Sequence, residues 1–258
     1  MRTRIIPVLL LKGSGLYKTR KFKNPAYIGD PINCIKIFNE KEVDELCFLD
    51  IDASKTNKGP DFRILEDIAS ECFMPLSYGG GVNSVEIVRR LTAIGFEKVI
   101  VNTAAYKDRN LIPALSKYFG VSTIVGSIDV TRNWYGRQEV RICGGTEKIP
   151  FTPEGWAREL ESQGVGEILI NSIDNDGELC GYDIDLINRI SDEVSVPVVA
   201  SGGARNLDDV DAAIRIGGAS AAAAGAMFVF HGKHRAVLIK YPTEQQRIAK
   251  LESINEIS

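Results

Sequence analysis

The sequence predicts a closed (β/α)8 barrel of the α/β class, built from two half-barrel repeats. Three observations predict it. Eight short apolar runs alternate with amphipathic stretches, no linker interrupts them, and paired motifs recur about half a chain apart. The 258 residues suit such a barrel read as one domain over 1–258, and 44 % hydrophobic with 25 % charged residues is enough for a large core. A net charge of -3 gives no reason to expect nucleic acid. No run approaches the roughly 18 apolar residues of a membrane span. The N-terminal run gives way at once to Lys12 and Gly13, so it reads as a buried strand rather than a signal peptide. Cys34, Cys47, Cys72, Cys143 and Cys180 show neither close pairing nor metal-ligand spacing. They are expected as mostly reduced core residues of a cytoplasmic protein, with no metal and no cofactor.

The elements follow in order. Residues 5–11 read as the first strand and 31–42 as a helix. Residues 45–51 form the second strand, ending in Leu49-Asp50-Ile51-Asp52. The third strand spans 73–77 and runs into Gly79-Gly80-Gly81, after which Ser84 caps a helix with Val85, Val88 and Leu91 at helical spacing. Strand four is 98–102, followed by a helix over 111–118, and strand five is 123–129. The charged, partly alternating stretch 131–150 is an excursion from the end of strand five. A helix over 156–163, strand six at 167–172, a helix over 186–193, strand seven at 196–200 and an alanine-rich strand eight at 221–224 complete the set.

The repeat is carried by three pairings. Gly80-Gly81 matches Gly202-Gly203 and Ile94-Gly95 matches Ile216-Gly217, each 122 residues apart, while Asp50 is matched to Asp174, 124 residues on. The glycine spacing does not fit a dinucleotide fingerprint.

In a barrel of this kind the site lies at the C-terminal ends of the strands. Each glycine pair follows an apolar strand and precedes a helix, where backbone N–H groups can approach a phosphate without a Cβ in the way. Gly80, Gly81, Asn102 and Thr103 form one such cradle, and Gly202, Gly203, Gly225 and Ala226 the other. The expected ligand is a small molecule with a phosphate at each end; the alternative is that the glycines serve tight turns only. Between the cradles stand Asp50, Asp129 and Asp176, candidates for acid–base work, with Asp52 and Asp174 better suited to capping or loop-tying. Asp129 ends the apolar run 124–128 and faces the mouth. Lys18, in the basic loop Lys18-Thr19-Arg20-Lys21, reaches across as an electrophile or phosphate ligand, unless it is solvated surface charge. His231 and His234 read equally as a partner or phosphate contact and as a helix start. At the opposite end Arg4 precedes the first strand and Glu45, Lys98 and Glu167 begin the second, fourth and sixth, and two positive and two negative groups there can close a salt-bridged ring over the barrel axis.

Taken together, Arg4-Ile5-Ile6-Pro7, Phe48-Leu49-Asp50-Ile51-Asp52-Ala53-Ser54, Gly79-Gly80-Gly81-Val82, Val101-Asn102-Thr103-Ala104-Ala105, Ser172-Ile173-Asp174-Asn175-Asp176-Gly177 and Ala200-Ser201-Gly202-Gly203-Ala204 resemble the cyclase subunit of imidazole glycerol phosphate synthase. The resemblance covers essentially the whole chain. It implies a glutaminase subunit docked on the N-terminal face and ammonia passing through the barrel. The ammonia reacts with a phosphoribulosyl formimino carboxamide ribotide carrying two phosphates, giving imidazole glycerol phosphate and an aminoimidazole carboxamide ribotide. The family's ammonia gate falls on Arg4, Glu45, Lys98 and Glu167, its base on Asp129 and its lysine on Lys18. One departure stands out: the family's other essential aspartate, in strand one, falls on Leu10. Tyr78 before the glycines, Asn171 for a usual threonine and Ala226 for a usual serine are smaller departures. Leu9-Leu10-Leu11-Lys12, Phe38-Asn39-Glu40-Lys41-Glu42-Val43-Asp44-Glu45 and 230–239 resemble the divergent second form of this subunit, encoded with surface-polysaccharide genes. That resemblance implies relay of ammonia to a sugar amidotransferase making an acetamidino group. A working cyclase of histidine biosynthesis, with Asp50 or Asp176 replacing the missing acid, is the alternative, and a binding or scaffold subunit a third reading.

Overall fold

Runs of four to nine mostly apolar residues form eight parallel strands: β1 (Arg4–Lys12), β2 (Leu46–Asp50), β3 (Leu76–Gly79), β4 (Lys98–Val101), β5 (Ile124–Arg132), β6 (Glu167–Ser172), β7 (Val198–Ser201) and β8 (Ala221–Ala224). This computed structural model describes residues 3–56, 58–232 and 234–252. Each strand pairs with its neighbours in sequence, and β1 also pairs β8 through Arg4↔Ala221, which closes a TIM barrel. Helices cover it: α1 (Pro31–Glu40), α2 (Phe62–Glu71), α3 (Val85–Ala93), α4 (Leu111–Phe119), α5 (Pro153–Gln163), α6 (Ile184–Glu193), α7 (Leu207–Arg215) and a short α8 (Glu244–Arg247). Their starts are written in the sequence. The side chains of Asp30, Asp61, Ser84, Thr152, Asp183 and Asn206 each accept a hydrogen bond from the first-turn backbone, each cap worth about 0.5–2 kcal/mol.

Strand alternation divides the core in two. One set of side chains, among them Ile6, Val8, Leu10, Ile100, Val125 and Leu169, fills the barrel interior. The other, including Ile5, Leu9, Phe48 and Tyr78, packs outward against the helices, which contribute Phe38 from α1 and Trp156 from α5. Each such aliphatic or phenylalanine side chain contributes about 1.5–3 kcal/mol on leaving water.

Several expectations are corrected. The third strand begins at Leu76, not residue 73: Phe73 is 87 % exposed, and its N–H bonds Asn39 instead of a ladder. β5 runs on to Arg132 because Gln138–Ile142 returns along it as an antiparallel hairpin. The stretch after β1 is no loop. Gly15–Arg20 and Lys23–Gly29 form a hairpin whose first strand pairs back on β1, and it carries Lys18 into the interior. Only Cys34 and Cys47 are buried; Cys72 and Cys143 are half-buried, Cys180 is exposed, and all five are free thiols. His231 lies in a two-stranded hairpin, Phe230–His231 with Ala236–Val237, so His231 and His234 start no helix.

The repeat survives with one change of register. A Cβ on Gly80 would sit 2.6 Å from the Asp50 carbonyl, and one on Gly202 would sit 2.7 Å from the Ser172 carbonyl. Gly81 is crowded by Gly59 and Gly203 by Gly181. All four correspondences are 122 residues apart, so the counterpart of Asp50 is Ser172, not Asp174. Across the ladder Leu10 pairs with Leu49 in the first half where Asp129 pairs with Asn171 in the second.

Candidate active site

The C-terminal ends of the strands surround a cavity of about 410 Å³. It gathers the expected Lys18, Asp50, Asp129, Asp176, Gly80, Gly81, Asn102, Thr103, Gly202, Gly203, Gly225 and Ala226 on one wall or another; His231 and His234 are exposed and outside it. The hairpin after β1 is strapped over the mouth. Thr19 donates to Asp176 at 3.0 Å, the Lys21 N–H to the Asp176 carbonyl at 2.9 Å, and Arg20 pairs with Glu178. The alternation that makes Asp129 an inward residue also turns Ser127, Asn171 and Ser201 inward. Period two along β5, β6 and β7 was the signal available for them.

Burial sets the electrostatics. The Asp129 carboxyl is pushed up to about 7, chiefly by desolvation and also by the neighbouring Asp176, while the Asn102 amide donating to Oδ2 at 2.9 Å opposes it. Lys18 is pulled down by burial, with Asp176 pulling the other way; among the described residues its hydrogen bond is a long 3.5 Å one to the Val8 carbonyl. Asp176 is raised, burial outweighing Lys18 and Thr19. Asp50 is raised by burial, though its Oδ1 already accepts from the N–H groups of Asp52 and Ala53, so it also pins its own turn. Asp174 ties the β5 hairpin down, accepting from Thr131 at 2.9 Å and the Arg132 N–H at 2.7 Å.

Gly80, Gly81, Gly202 and Gly203 all have positive φ, from +67° to +126°, and meet backbone of the preceding strand–helix loop or strand, so glycine is needed there whatever binds. At Gly225 the reason is different: the Lys18 ammonium occupies the space where its Cβ would be. Leu10, with Leu49 and Ile51, makes the facing wall apolar.

At the other end of the barrel Arg4 bonds Glu45 at 2.8 Å and also Glu167, and Lys98 bonds Glu167 at 2.7 Å and Glu45 at 3.3 Å. The four charges thus alternate in a closed ring across the axis. Above it lies a chamber of about 20 Å³, bounded by Glu45 and Glu167, Cys47, Ser77 and Val125, and roofed by Ile100 and Leu169. The same two residues line the mouth cavity, so one layer separates the two spaces. Around the ring, at the ends of helices and the starts of strands, Phe73, Tyr118, Val121 and Ile216 are exposed. Among the described residues no group of His, Cys, Asp and Glu converges as a metal site, and no helix is long and apolar enough to cross a membrane.

The model of the histidine biosynthesis protein family matches residues 4–235, nearly the whole barrel. The chain belongs to that family. A Pseudomonas aeruginosa protein named as imidazole glycerol phosphate synthase subunit hisF2 is 50 % identical over 242 residues, 94 % of this chain and 96 % of its own. A Leptospira interrogans protein named as subunit HisF is 43 % identical over 250 residues (96 % and 98 %), and a Vibrio vulnificus protein named as subunit hisF3 is 42 % identical over 253 residues (98 % and 97 %). Within the histidine biosynthesis family this chain is a divergent barrel of the cyclase-subunit kind. Leu10, where the resemblance leads one to expect an aspartate, is 8 % exposed, inside the barrel and on the wall of the mouth. Two-fold related strands therefore present a leucine on one side of the axis and Asp129 on the other.

Proposed function

We propose that this barrel receives ammonia from a glutaminase subunit docked on its N-terminal face and relays it for amidination of a surface-polysaccharide sugar. The observation that carries the reading is Leu10. A leucine can neither give nor take a proton, and a positioned carboxylate in general acid–base catalysis is worth about 10²–10⁴ in rate. The side chains packed with Leu10 in the barrel interior, among them Leu49 and Ile51, carry no carboxyl group. The N-terminal end, by contrast, keeps a full charged ring and an exposed apolar collar of Phe73, Tyr118, Val121 and Ile216, suited to a protein partner. Arg4, Glu45, Lys98 and Glu167 gate entry to the chamber, and ammonia passes Ile100 and Leu169 into the mouth, where a sugar amidotransferase takes it up. The relay operates in the cytoplasm, where five free thiols persist.

A second reading is favoured by one specific feature. Asp129, held near neutrality, shares its cavity with Lys18, Asp50, Asp176 and both glycine loops, a set able to hold a bis-phosphate ligand and move a proton. On that reading the chain is a working cyclase forming imidazole glycerol phosphate. The deciding experiment is a cyclase assay on the purified chain with ammonium salt and the ribotide substrate. The relay predicts no turnover, with Leu10→Asp restoring some. Turnover of about 1 s⁻¹ or more, lost in Asp129→Asn, would establish the cyclase and sink the relay.

A further inference from the structure

Alternate residues of β1 direct their backbone groups toward β2, as the Ile51 N–H donating to the Leu11 carbonyl shows. On that side Pro7 has no N–H to give, and ladder pairing between the two strands begins only at Val8↔Cys47. The charged ring nevertheless spans the unladdered part of this seam. Arg4 stands on one side and Glu45 on the other, and their side chains bond at 2.8 Å.

Side chains replace the missing ladder. Asp44 Oδ2 accepts the Ile5 N–H at 3.0 Å, and the Tyr241 hydroxyl donates to the Ile5 carbonyl at 2.9 Å while lying 3.1 Å from Asp44 Oδ2. Burial, with the Asp44 carboxylate beside it, raises the Tyr241 hydroxyl above its ordinary value, so it stays a donor. Arg247 grips the same carboxylate, its Nη1 at 2.8 and 2.9 Å from the two oxygens. The Arg247 and Asp44 side chains are only 8 % and 12 % exposed, so salt and water screen the pair little. Arg4 precedes Ile5 and Glu45 follows Asp44, so the clamped backbone carries both ring residues directly.

Tyr241 and Arg247 reach the seam because the chain after β8 makes no long outer helix. Four helical residues, Ala226–Val229, lead into the hairpin of Phe230–His231 and Ala236–Val237, after which the Leu238 and Lys240 N–H groups bond the Val229 and Phe228 carbonyls. Tyr241 thereby packs on Phe228 with ring centroids 5.4 Å apart, and Thr243 caps α8, whose last residue is Arg247. Arg247 Nε is buried with no hydrogen-bond partner among the described residues, which makes the pair a poor device for stability alone.

We infer that Asp44, Tyr241 and Arg247 are positioning residues for the charged ring, a clamp by which the C-terminal segment closes the β1–β2 seam and holds Arg4 against Glu45. This rests on the proposed relay and deepens it, by giving the C-terminal segment control of the barrel's entrance. With the clamp closed, nitrogen enters along the axis; with it released, Arg4 and Glu45 part and ammonia is lost at the seam.

The test reads the ring from its far side. Lys98 hydrogen-bonds Glu45 and Glu167 rather than the clamp, and its ammonium shares Glu45 Oε2 with Arg4. The 15N–1H signal of that ammonium, assigned from Lys98→Arg, is recorded in the full chain for wild type, Tyr241→Phe, Arg247→Gln and Arg215→Gln. The last is the control, because Arg215 holds the C-terminal segment elsewhere, at the Leu251 carbonyl. The clamp predicts that the signal moves in the first two variants and stays in the control; a merely less stable protein keeps the signal of its folded form in place. An unmoved signal in both clamp variants overturns the inference, as does an equal movement in the control. Tyr241→Phe removes one hydroxyl and decides by itself if Arg247→Gln does not fold. In the complex with the glutaminase subunit, the ratio of glutamine nitrogen delivered to an acceptor over nitrogen released to solvent falls about fivefold in Tyr241→Phe, the weight of one hydrogen bond. An unchanged ratio would strip the clamp of its control over entry. A wild-type complex that delivers no nitrogen sinks the relay, and the Lys98 signal still decides whether the clamp holds the ring.

Discussion

Neutralising one carboxylate of the N-terminal ring, by Glu45→Gln, destabilises the barrel by about 2 kcal/mol. Glu45 and Glu167 are each 6 % exposed, and each receives both Arg4 and Lys98. Glutamine keeps the size and most hydrogen-bonding capacity of glutamate and removes only its charge, leaving two cations to share Glu167. Breaking a buried ion pair by removing one partner costs about 3–5 kcal/mol. Here the side chains of Arg4 and Lys98 retain 32 % and 23 % exposure, so water meets part of the lost interaction and the lower figure follows. The readout is equilibrium unfolding in urea, where the midpoint falls and the slope is unchanged. In thermal unfolding the same loss is a drop of roughly 4–8 °C for a protein of this size. Glu86→Gln is the control, since the Glu86–Arg89 pair is exposed on both sides and its loss stays within about 0.5 kcal/mol. A Glu45→Gln effect no larger than that control would refute the claim that the ring is an electrostatic unit.

Asp129→Asn changes the pH dependence of stability. With its folded carboxyl raised to about 7, the wild-type group favours the fold fully below the unfolded value and loses that contribution as pH rises through about 7. The variant therefore gains on the wild type between pH 4 and pH 8, by up to about 4 kcal/mol from the size of the shift; parallel stability–pH curves for the two proteins would contradict it. Tyr78→Phe is expected to stabilise by about 1 kcal/mol, because the Tyr78 ring packs edge-on to Phe96 and its fully buried hydroxyl has no hydrogen-bond partner among the described residues, burial raising it above its ordinary value. A lower thermal midpoint would show that the hydroxyl is satisfied. Gly203→Ala places a Cβ against the Gly181 carbonyl at a φ of +112°, and should cost more than 2 kcal/mol in urea unfolding. Wild-type stability in that variant would mean that the turn opens freely.

The sequence by itself determined the barrel, most strand positions and the list of residues at its two ends. Short apolar runs can only pair, amphipathic stretches can only cover them, and the order of strands around a closed barrel follows from the order of the chain. The ring was legible for the same reason: Arg4, Glu45, Lys98 and Glu167 open or precede strands, and strand starts share one end of a parallel barrel. Tertiary structure alone decided how deep each group lies and which way it faces. In sequence Lys18 reads either as a site residue reaching across the mouth or as surface charge in a basic run, and the hairpin's register on β1 drives it between Val8 and Gly225, where burial lowers its pKa. Asp50 and Asp174 look alike in sequence, but only the packing shows that Ser172 is the partner of Asp50 and that Asp174 ties down a hairpin. Phe73 looked like a strand residue because its neighbours are apolar, and ladder geometry excluded it. Composition and period fix which residues can meet, whereas desolvation and orientation depend on what the rest of the chain places around them.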